Sequence, residues 1–322
     1  MDVKDDADLA ALLPAWRDFT AACLPGPAFD AERLRFEAGE GLKSDCLLLG
    51  AFTDDEPEVA AGGMLIRLQT DLNTDLGDAQ PLLRAGHADA AVAEALLAAS
   101  RERLAQIGRT RLQVNLPQSN PTPAYETFRA PTSSFTAMCS ALDLSALDRD
   151  QYAEFAAPSP KNSQYRIVHW IDRCPDELAE SFSAALNTMH DIPLEDLNLE
   201  LSQHDVARLR EGEAVIGRHG ARRCVTAAVD EEGEVAGFTQ SVYFPAEPAT
   251  MDLWSTAVVR RHRGHRLGLR IKAAATLRIL HELPEAQWVC TFNNHENEHM
   301  LAVNRQLGYQ VLGGWDIYEF AC

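Results

Sequence analysis

The sequence predicts a mixed α/β chain of two tandem domains, each a twisted, mostly antiparallel sheet with helices on both faces. Three observations carry this. The chain has 322 residues, about twice a typical domain of roughly 100–200. Short β-type runs alternate with long Ala/Leu-rich helical runs, which sets helices against sheets. The order of elements also recurs: each half opens with helices, passes through β-type runs to a long helix, and then reaches a strand and a short helix. The expected boundary is the stretch Ala156–Ser163, with Pro158, Pro160 and small polar residues. It gives domains 1–155 and 156–322.

In the first half, Leu9–Phe19 and Asp30–Phe36 read as helices. Cys46–Phe52 and Val59–Leu68 read as strands, separated by the acidic turn Thr53–Pro57. Ala90–Gln106 is a strong helix. Its Val92, Leu96, Leu97, Ala99 and Leu104 recur at near-helical spacing, and Gly108 ends it. Arg111–Leu116 is the next strand and Ala124–Phe128 a short helical piece.

In the second half, Tyr165–Ile171 is a strand, and Asp176–Met189 and His204–Gly212 are helices. Cys224–Val229 and Val235–Phe244 form a hairpin across Asp230-Glu231-Glu232-Gly233. Leu253–Val259 is a strand, Leu267–Leu280 a helix, Trp288–Phe292 a strand and Glu298–Leu307 a helix stopped by Gly308. Tyr309–Leu312 and Ile317–Phe320 close the chain as two short strands.

Composition narrows the function. With 46% apolar residues the chain can build real cores. No run approaches the roughly 20 apolar residues of a membrane span. The acidic start, Met1–Asp6, lacks the basic and apolar regions of a signal peptide. A cytoplasmic protein is expected. The net charge of −19 disfavours nucleic acid and anionic membranes as partners and favours a cationic small molecule. Seven cysteines, an odd number without a C-x-x-C, point to reduced thiols rather than a disulfide framework.

The informative segment is Thr256–Lys272. A β-run feeds a loop carrying Arg260, Arg261, Arg263, Gly264, His265 and Arg266, which opens a helix at Leu267-Gly268-Leu269. Glycines permit tight turns and close backbone approach. Free N–H groups and the helix dipole favour an anion. In so acidic a protein, this local reversal of charge suggests a pyrophosphate site.

The segment resembles the central motif of the GNAT superfamily of N-acetyltransferases, Q/R-x-x-G-x-G/A. Arg263 and Gly268 fit its ends, and Arg266 stands at its middle glycine. Asn297, Gly308 and Tyr309 match the family's N-x-x-A-x-x-x-Y-x-x-x-G-F helix, with Asn304 in place of the tyrosine that often protonates the leaving thiolate. The resemblance covers Tyr165–Cys322. It implies acetyl-coenzyme A as co-substrate, bound by backbone near Val258 and Val259 and by the N–H groups of Arg266–Leu269 with His265 nearby. It also implies a primary amine as acceptor, and polarisation of the thioester oxygen by an N–H near Val259. No metal is expected.

Candidate chemistry follows from acyl transfer, which needs a route for the amine's proton. The family's histone-modifying branch has a glutamate eleven residues before the first motif residue, and here that position is Asp252. Strand alternation sets Thr256 on the same face as Asp252. Asp316 and Glu319 are weaker base candidates. Asp191, Glu195, Asp196 and Glu200, with His190, form an acidic segment suited to a cationic acceptor.

Aligned by their long helices, the halves place Asp89 opposite Gly264 and Ala93 opposite Gly268. The first half is therefore expected to keep the fold without binding coenzyme A well. Two rivals accompany this reading. One is a non-catalytic coenzyme-A-binding sensor. The other is a zinc hydrolase, because His295-Glu296-x-x-His299 matches H-E-x-x-H. Glu298 between the histidines and the asparagines before them argue against it.

Overall fold

A computed structural model describes residues 6–39, 44–118, 122–130, 135–191, 199–218 and 220–322. The chain forms two compact units. Unit 1 holds Met1–Met138, Leu194–Glu200 and Leu312–Cys322; unit 2 holds Cys139–Pro193 and Leu201–Val311.

Unit 1 runs α1 (Asp6–Cys23), α2 (Ala31–Ala38), β1 (Ser44–Ala51), β2 (Gly62–Gln69), β3 (Leu76–Leu83), α3 (Ala90–Gln106), β4 (Arg111–Pro117) and a 3₁₀ turn, Pro123–Phe128. Strands β1, β2 and β3 pair antiparallel in sequence, and β3 pairs parallel with β4. One core holds Leu12, Trp16, Leu65, Ile66, Leu96, Leu104, Val114 and Phe128.

β5 (Phe135–Asp143) leads into unit 2. There follow α4 (Arg149–Ala156), β6 (Arg166–Ile171), a 3₁₀ turn at Asp176–Leu178, α5 (Ala179–Leu186), a 3₁₀ turn at Asn187–Asp191, α6 (Val206–Arg218), β7 (Arg222–Val229), β8 (Val235–Phe244), β9 (Glu247–Val258), α7 (Leu267–Glu282), β10 (Trp288–Asn294) and α8 (Glu298–Gln306). β6 to β9 form an antiparallel meander and β9 pairs parallel with β10. Both units thus share one plan: an antiparallel meander, then a parallel pair joined across a long helix. A parallel pair requires such a crossover.

Unit 2 buries both sheet faces. On one, Phe182 and Leu186 of α5 pack with Phe238 and Ala257. On the other, Leu269, Ala273 and Ile279 of α7 pack with Met251, Leu253 and Val289.

Several features differ from the sequence expectation. β3 was not expected, because Gly77, Asp78 and Pro81 disguise it. β5 was not expected either, since its Ala and Ser positions dilute the alternation. Helix α4 was also missed, although Asp148 caps it by accepting from the N–H groups of Asp150 and Gln151. The final two short strands are one, β11 (Gln310–Ala321), which runs on through Gly313 and Gly314. Its Trp315–Ala321 stretch pairs antiparallel with β4, so the chain's end belongs to unit 1. The units divide after Met138, ahead of the expected boundary at 155, because Leu142, Leu144 and Tyr152 are built into the unit 2 core with Leu307 and Tyr309.

The expected linker is stitched into unit 2. The buried guanidinium of Arg270 donates to the carbonyls of Ala156 (3.2 Å), Asn162 (2.6 Å) and Tyr165 (3.1 Å). Asn162 in turn donates to the carbonyl of His265, 3.1 Å away. A buried charge is tolerated when its donors are all met. Replacing Arg270 with Met should lower unfolding stability by about 2–4 kcal/mol, since it removes several charge-assisted bonds and strands their acceptors. Limited proteolysis should then cut between residues 157 and 164 in the variant before the wild type; equal cutting rates would refute the role.

Candidate active site

Parallel pairing of β9 with β10 stops at Leu253 and Thr291. Beyond that pair the register of β9 against β8 shifts: Leu253 faces Ser241 and Ser255 faces Gln240, which leaves Trp254 as a bulge. A bulge bends its strand and re-aims the residues after it. Here it exchanges the faces. Leu253 packs on the α7 side, yet Ala257, four residues on, packs on the α5 side. The free edge of β9 opens into a cavity of about 870 Å³, within the usual range for a ligand pocket.

Thr256, Ala257 and Val258 of β9 form one wall of this cavity. Asn297 and the α8 residues Met300 and Val303 form another, and Thr188 and Met189 of the 3₁₀ turn a third. The fourth is the basic loop with the start of α7: Arg263, Gly264, Arg266, Leu267, Gly268 and Leu269.

The loop has a defined path. Gly264 has φ +85° and Arg266, capping α7, has φ +57°. Both are left-handed, a conformation natural to glycine and costly to other residues. Arg266 thus adopts, without being glycine, a backbone conformation natural to glycine. The first bond inside α7 runs from the Arg270 N–H to the Arg266 carbonyl, so the N–H groups before it point out of the helix end. A side-chain carbon added at Gly268 would meet no protein atom within 4 Å. Gly268 is therefore small toward open cavity. These features suit a phosphate-bearing ligand.

Arg263 ties this wall to the 3₁₀ turn. Its Nε donates to the Val258 carbonyl (3.1 Å) and its Nη2 to Asp191 Oδ2 (2.5 Å); Arg260 reaches Asp191 Oδ1 at 3.3 Å. The hydrogen bond from Arg263, with the charge of Arg260, holds the Asp191 carboxyl below its ordinary value. His262 also lines the cavity and was not singled out in the sequence. Its Nδ1 lies 2.9 Å from the Tyr165 hydroxyl, and burial, then Arg261, hold its imidazole below the ordinary value.

Four residues expected at the site lie off the cavity wall. The Val259 N–H is spent on the Ala236 carbonyl, 2.9 Å away. Strand alternation then turns the Val258 N–H toward the open edge. His265 points to the Lys161 carbonyl (2.8 Å) and rests edge-on against Tyr165, so it braces the loop. Asp252 pairs with Val242 on the α5 face, whereas Thr256 bonds Thr239 (2.7 Å) on the α7 face. The expected shared face of Asp252 and Thr256 is lost at the bulge.

Asn304 is the fourth. It is buried, accepts from Lys272 Nζ and donates to Asn293 Oδ1 at 2.7 Å. Lys272 is 1% exposed, lies over the Tyr309 ring at 4.5 Å, and burial pushes its amine down to about 7.

The acidic segment is dispersed. Asp191 serves Arg263; His190 contacts the Ser202 carbonyl; Glu200 belongs to unit 1, its N–H bonded to Asn73; Glu195 and Asp196 lie outside the described residues. Asp316 and Glu319 are also unit 1 residues, bonded to Thr136 and Gln118 and to Arg111 and Gln113 respectively. His295 sits in a turn and His299 in the first turn of α8. The H-E-x-x-H run is therefore not one helix, and the described residues contain no group of three or more metal-ligating side chains.

Unit 1 has the matching strand edge, filled from within. β3 and β4 pair from Leu76–Arg111 to Ala79–Val114, and the Arg84 N–H bonds the Ala61 carbonyl as Val259 bonds Ala236. Leu83 thus corresponds to Val258. Its N–H donates to the Tyr125 hydroxyl (3.2 Å), which donates to the Pro81 carbonyl (3.4 Å). Tyr125 and Phe128 are fully buried there. The Ala85 N–H is held by Asp18, and Asp89 caps α3 through the Val92 N–H. Carboxylates occupy the donors that an anionic ligand would use.

A lysine whose folded value is lowered destabilises the fold while it is charged in both states. That penalty is complete below about pH 7 and fades toward its ordinary 10.5. The stability of the wild type relative to a Lys272→Met variant should therefore rise above pH 7, by at most about 1.4 kcal/mol per pH unit. Urea unfolding at several pH values checks this; parallel curves would disprove it.

No family model matches the sequence, and no curated protein does. Solved structures do. A tandem GNAT protein from the clavulanic acid biosynthesis pathway, solved without acetyl-coenzyme A, aligns over 100% of this chain and 97% of its own, with TM-score 0.79 and 22% identity. A GCN5-related N-acetyltransferase from Sphaerobacter thermophilus aligns over 98% and 92%, with TM-score 0.60 and 14% identity. A GNAT-family acetyltransferase from Colwellia psychrerythraea aligns over 100% and 98%, with TM-score 0.57 and 12% identity. Together with the repeated plan of the two units, these likenesses establish that the chain has the tandem GNAT N-acetyltransferase fold.

Proposed function

We propose that unit 2 transfers an acyl group, most simply acetyl, from an acyl-coenzyme A to a primary amine, and that unit 1 holds no second coenzyme. The observation that carries this is the open cavity at the β9–β10 divergence, walled by a left-handed basic loop and a helix start with a glycine facing empty space. The residues suit the coenzyme. N–H groups at Arg266–Leu269 would hold its pyrophosphate, the edge of β9 its amide-bearing arm, and Asn297 would line that arm.

When bound, the coenzyme supplies a thioester carbon: the amine nitrogen forms the C–N bond, and the C–S bond breaks with its electron pair left on sulfur. The chain's residues order this event. The Val258 N–H, turned to the open edge, would polarise the carbonyl oxygen, the role first expected near Val259. Thr256 lines the reacting end. Asp252, on the α5 face, would take the amine proton on a carboxylate oxygen if the amine approaches from that side. Asn304 positions α8 through Lys272 and Asn293 rather than donating to sulfur, and the leaving thiolate would take its proton from water or from another group. The free thiols fit a reducing, cytoplasmic setting, and the net charge fits a small cationic acceptor rather than nucleic acid or membrane.

A second reading, a non-catalytic coenzyme-binding sensor, draws support from the burial of Asn304 away from the cavity. One titration separates the possibilities. Calorimetry with acetyl-coenzyme A should give one site per chain, lost in the Arg263→Ala/Gly268→Glu double variant. Two sites would mean that Tyr125 yields to ligand, and no binding would end the acyltransferase reading. Saturable binding without thiol release over a broad amine panel would favour the sensor.

A further inference from the structure

His262 closes the 3₁₀ turn Arg260–His262 ahead of the left-handed loop and lines the same cavity as Arg263, Gly264 and Arg266. Its side chain is 13% exposed, and both ring nitrogens are engaged. Nδ1 lies 2.9 Å from the Tyr165 hydroxyl, and the imidazole stands edge-on to the Tyr165 ring. Nε2 accepts from Arg261 Nε at 2.9 Å, so in this arrangement Nε2 carries the lone pair and Nδ1 the proton. Yet the same Nε2 faces Asp230 Oδ2 at 3.4 Å. A lone pair gains nothing from a carboxylate oxygen, whereas a proton on that nitrogen would make a charge-assisted bond to it. Asp230 is held ready to accept. Its side chain is 7% exposed, and its other oxygen, Oδ1, accepts from the Glu234 N–H at 2.8 Å across the hairpin turn.

We propose that His262 is a proton-linked positioning residue of the coenzyme site: a pyrophosphate-bearing ligand in the cavity draws a proton onto Nε2, and the ring then exchanges Arg261 for Asp230. This rests on the coenzyme reading of that cavity. In the structure, burial and then Arg261 hold the imidazole below its ordinary value. His265 of the same loop adds to this, while Asp230 and Glu232 of the hairpin turn oppose it. Tyr165, just before β6, is itself held above its ordinary value by burial and stays neutral. Arg260, Arg263 and Arg266 complete the positive surroundings. A pyrophosphate among these cations reverses the balance, because it offsets their charge and favours one more positive group. Arg261 can withdraw at little cost, since its side chain is 64% exposed. The paired imidazolium and Asp230 carboxylate then anchor the turn from which Arg263 projects, so the ligand tightens the wall that holds it.

The test is calorimetry with coenzyme A at about pH 8 and about pH 6, in two buffers of different ionisation enthalpy, which counts the protons taken up on binding. Affinity should rise as pH falls through the imidazole's titration in the complex and level off below its titration in the free chain. The gain is at most about tenfold for each unit between the two. The phosphate monoester of coenzyme A titrates in the same range, so the wild type is read against His262→Gln, whose side chain can still bond Tyr165 but takes no proton. On acidification the wild type should gain at least about threefold more affinity than this variant, and take up more protons on binding. Asp230→Asn, which keeps an acceptor for the Glu234 N–H, should lose most of that excess. A histidine with only a structural role would weaken the variants equally at both pH values and leave the proton count unchanged, and that result would overturn the proposal. Binding without the pH excess leaves the coenzyme reading standing and removes this inference alone; no binding by the wild type at either pH removes both.

Discussion

The last backbone pair between β9 and β10 joins Leu253 to Thr291, and the next residue of β9 is a bulge. The cavity and its walls depend on that constraint. Had pairing continued, the N–H and C=O groups of Thr256 and Val258 would be consumed by β10 and no edge would remain for a ligand. The bulge also turns Thr256 toward α7 while Asp252 and Trp254 stay on the α5 side. One extra residue thus separates the α5-side residues of this strand from its α7-side residues.

The opening needs a rigid rim, and the rim is braced from outside the motif. Arg270, Asn162, His265 and Tyr165 fasten the stretch between α4 and β6 to the loop before α7. Left-handed Arg266 in that loop is costly alone and persists when the surroundings fix it. The buried Lys272–Asn304–Asn293 chain similarly fixes α8 against α7 and the diverging arm of β10.

Much of this was legible in the sequence. The boundaries of α3 and β8 were read correctly, and the loop at Arg263–Gly268, singled out from a reversal of charge combined with glycine spacing, does border the cavity. What escaped the sequence was set by tertiary packing. Strand β3 carries Gly and Pro and reads as a turn until its neighbours are known. The bulge at Trp254 leaves no local mark, so alternation carried Thr256 onto the wrong face. Val259 and His265 were assigned to ligand because the sequence does not reveal that Ala236 and Lys161 already occupy them. The closure of unit 1 was visible only in its polar half: Asp89 was seen opposite Gly264, but Tyr125 was read only as part of a short helical piece.

Under the acyl-transfer reading, the phenol of Tyr125 would give the two units different dependence on coenzyme supply. A unit whose strand edge is satisfied by its own side chain has a fixed folding free energy. A unit with an open edge gains stability with the logarithm of free ligand concentration once that exceeds the dissociation constant. In a starved cell the two halves of one polypeptide would then differ in resistance to unfolding and degradation, and abundance of the chain would follow the supply of its own donor.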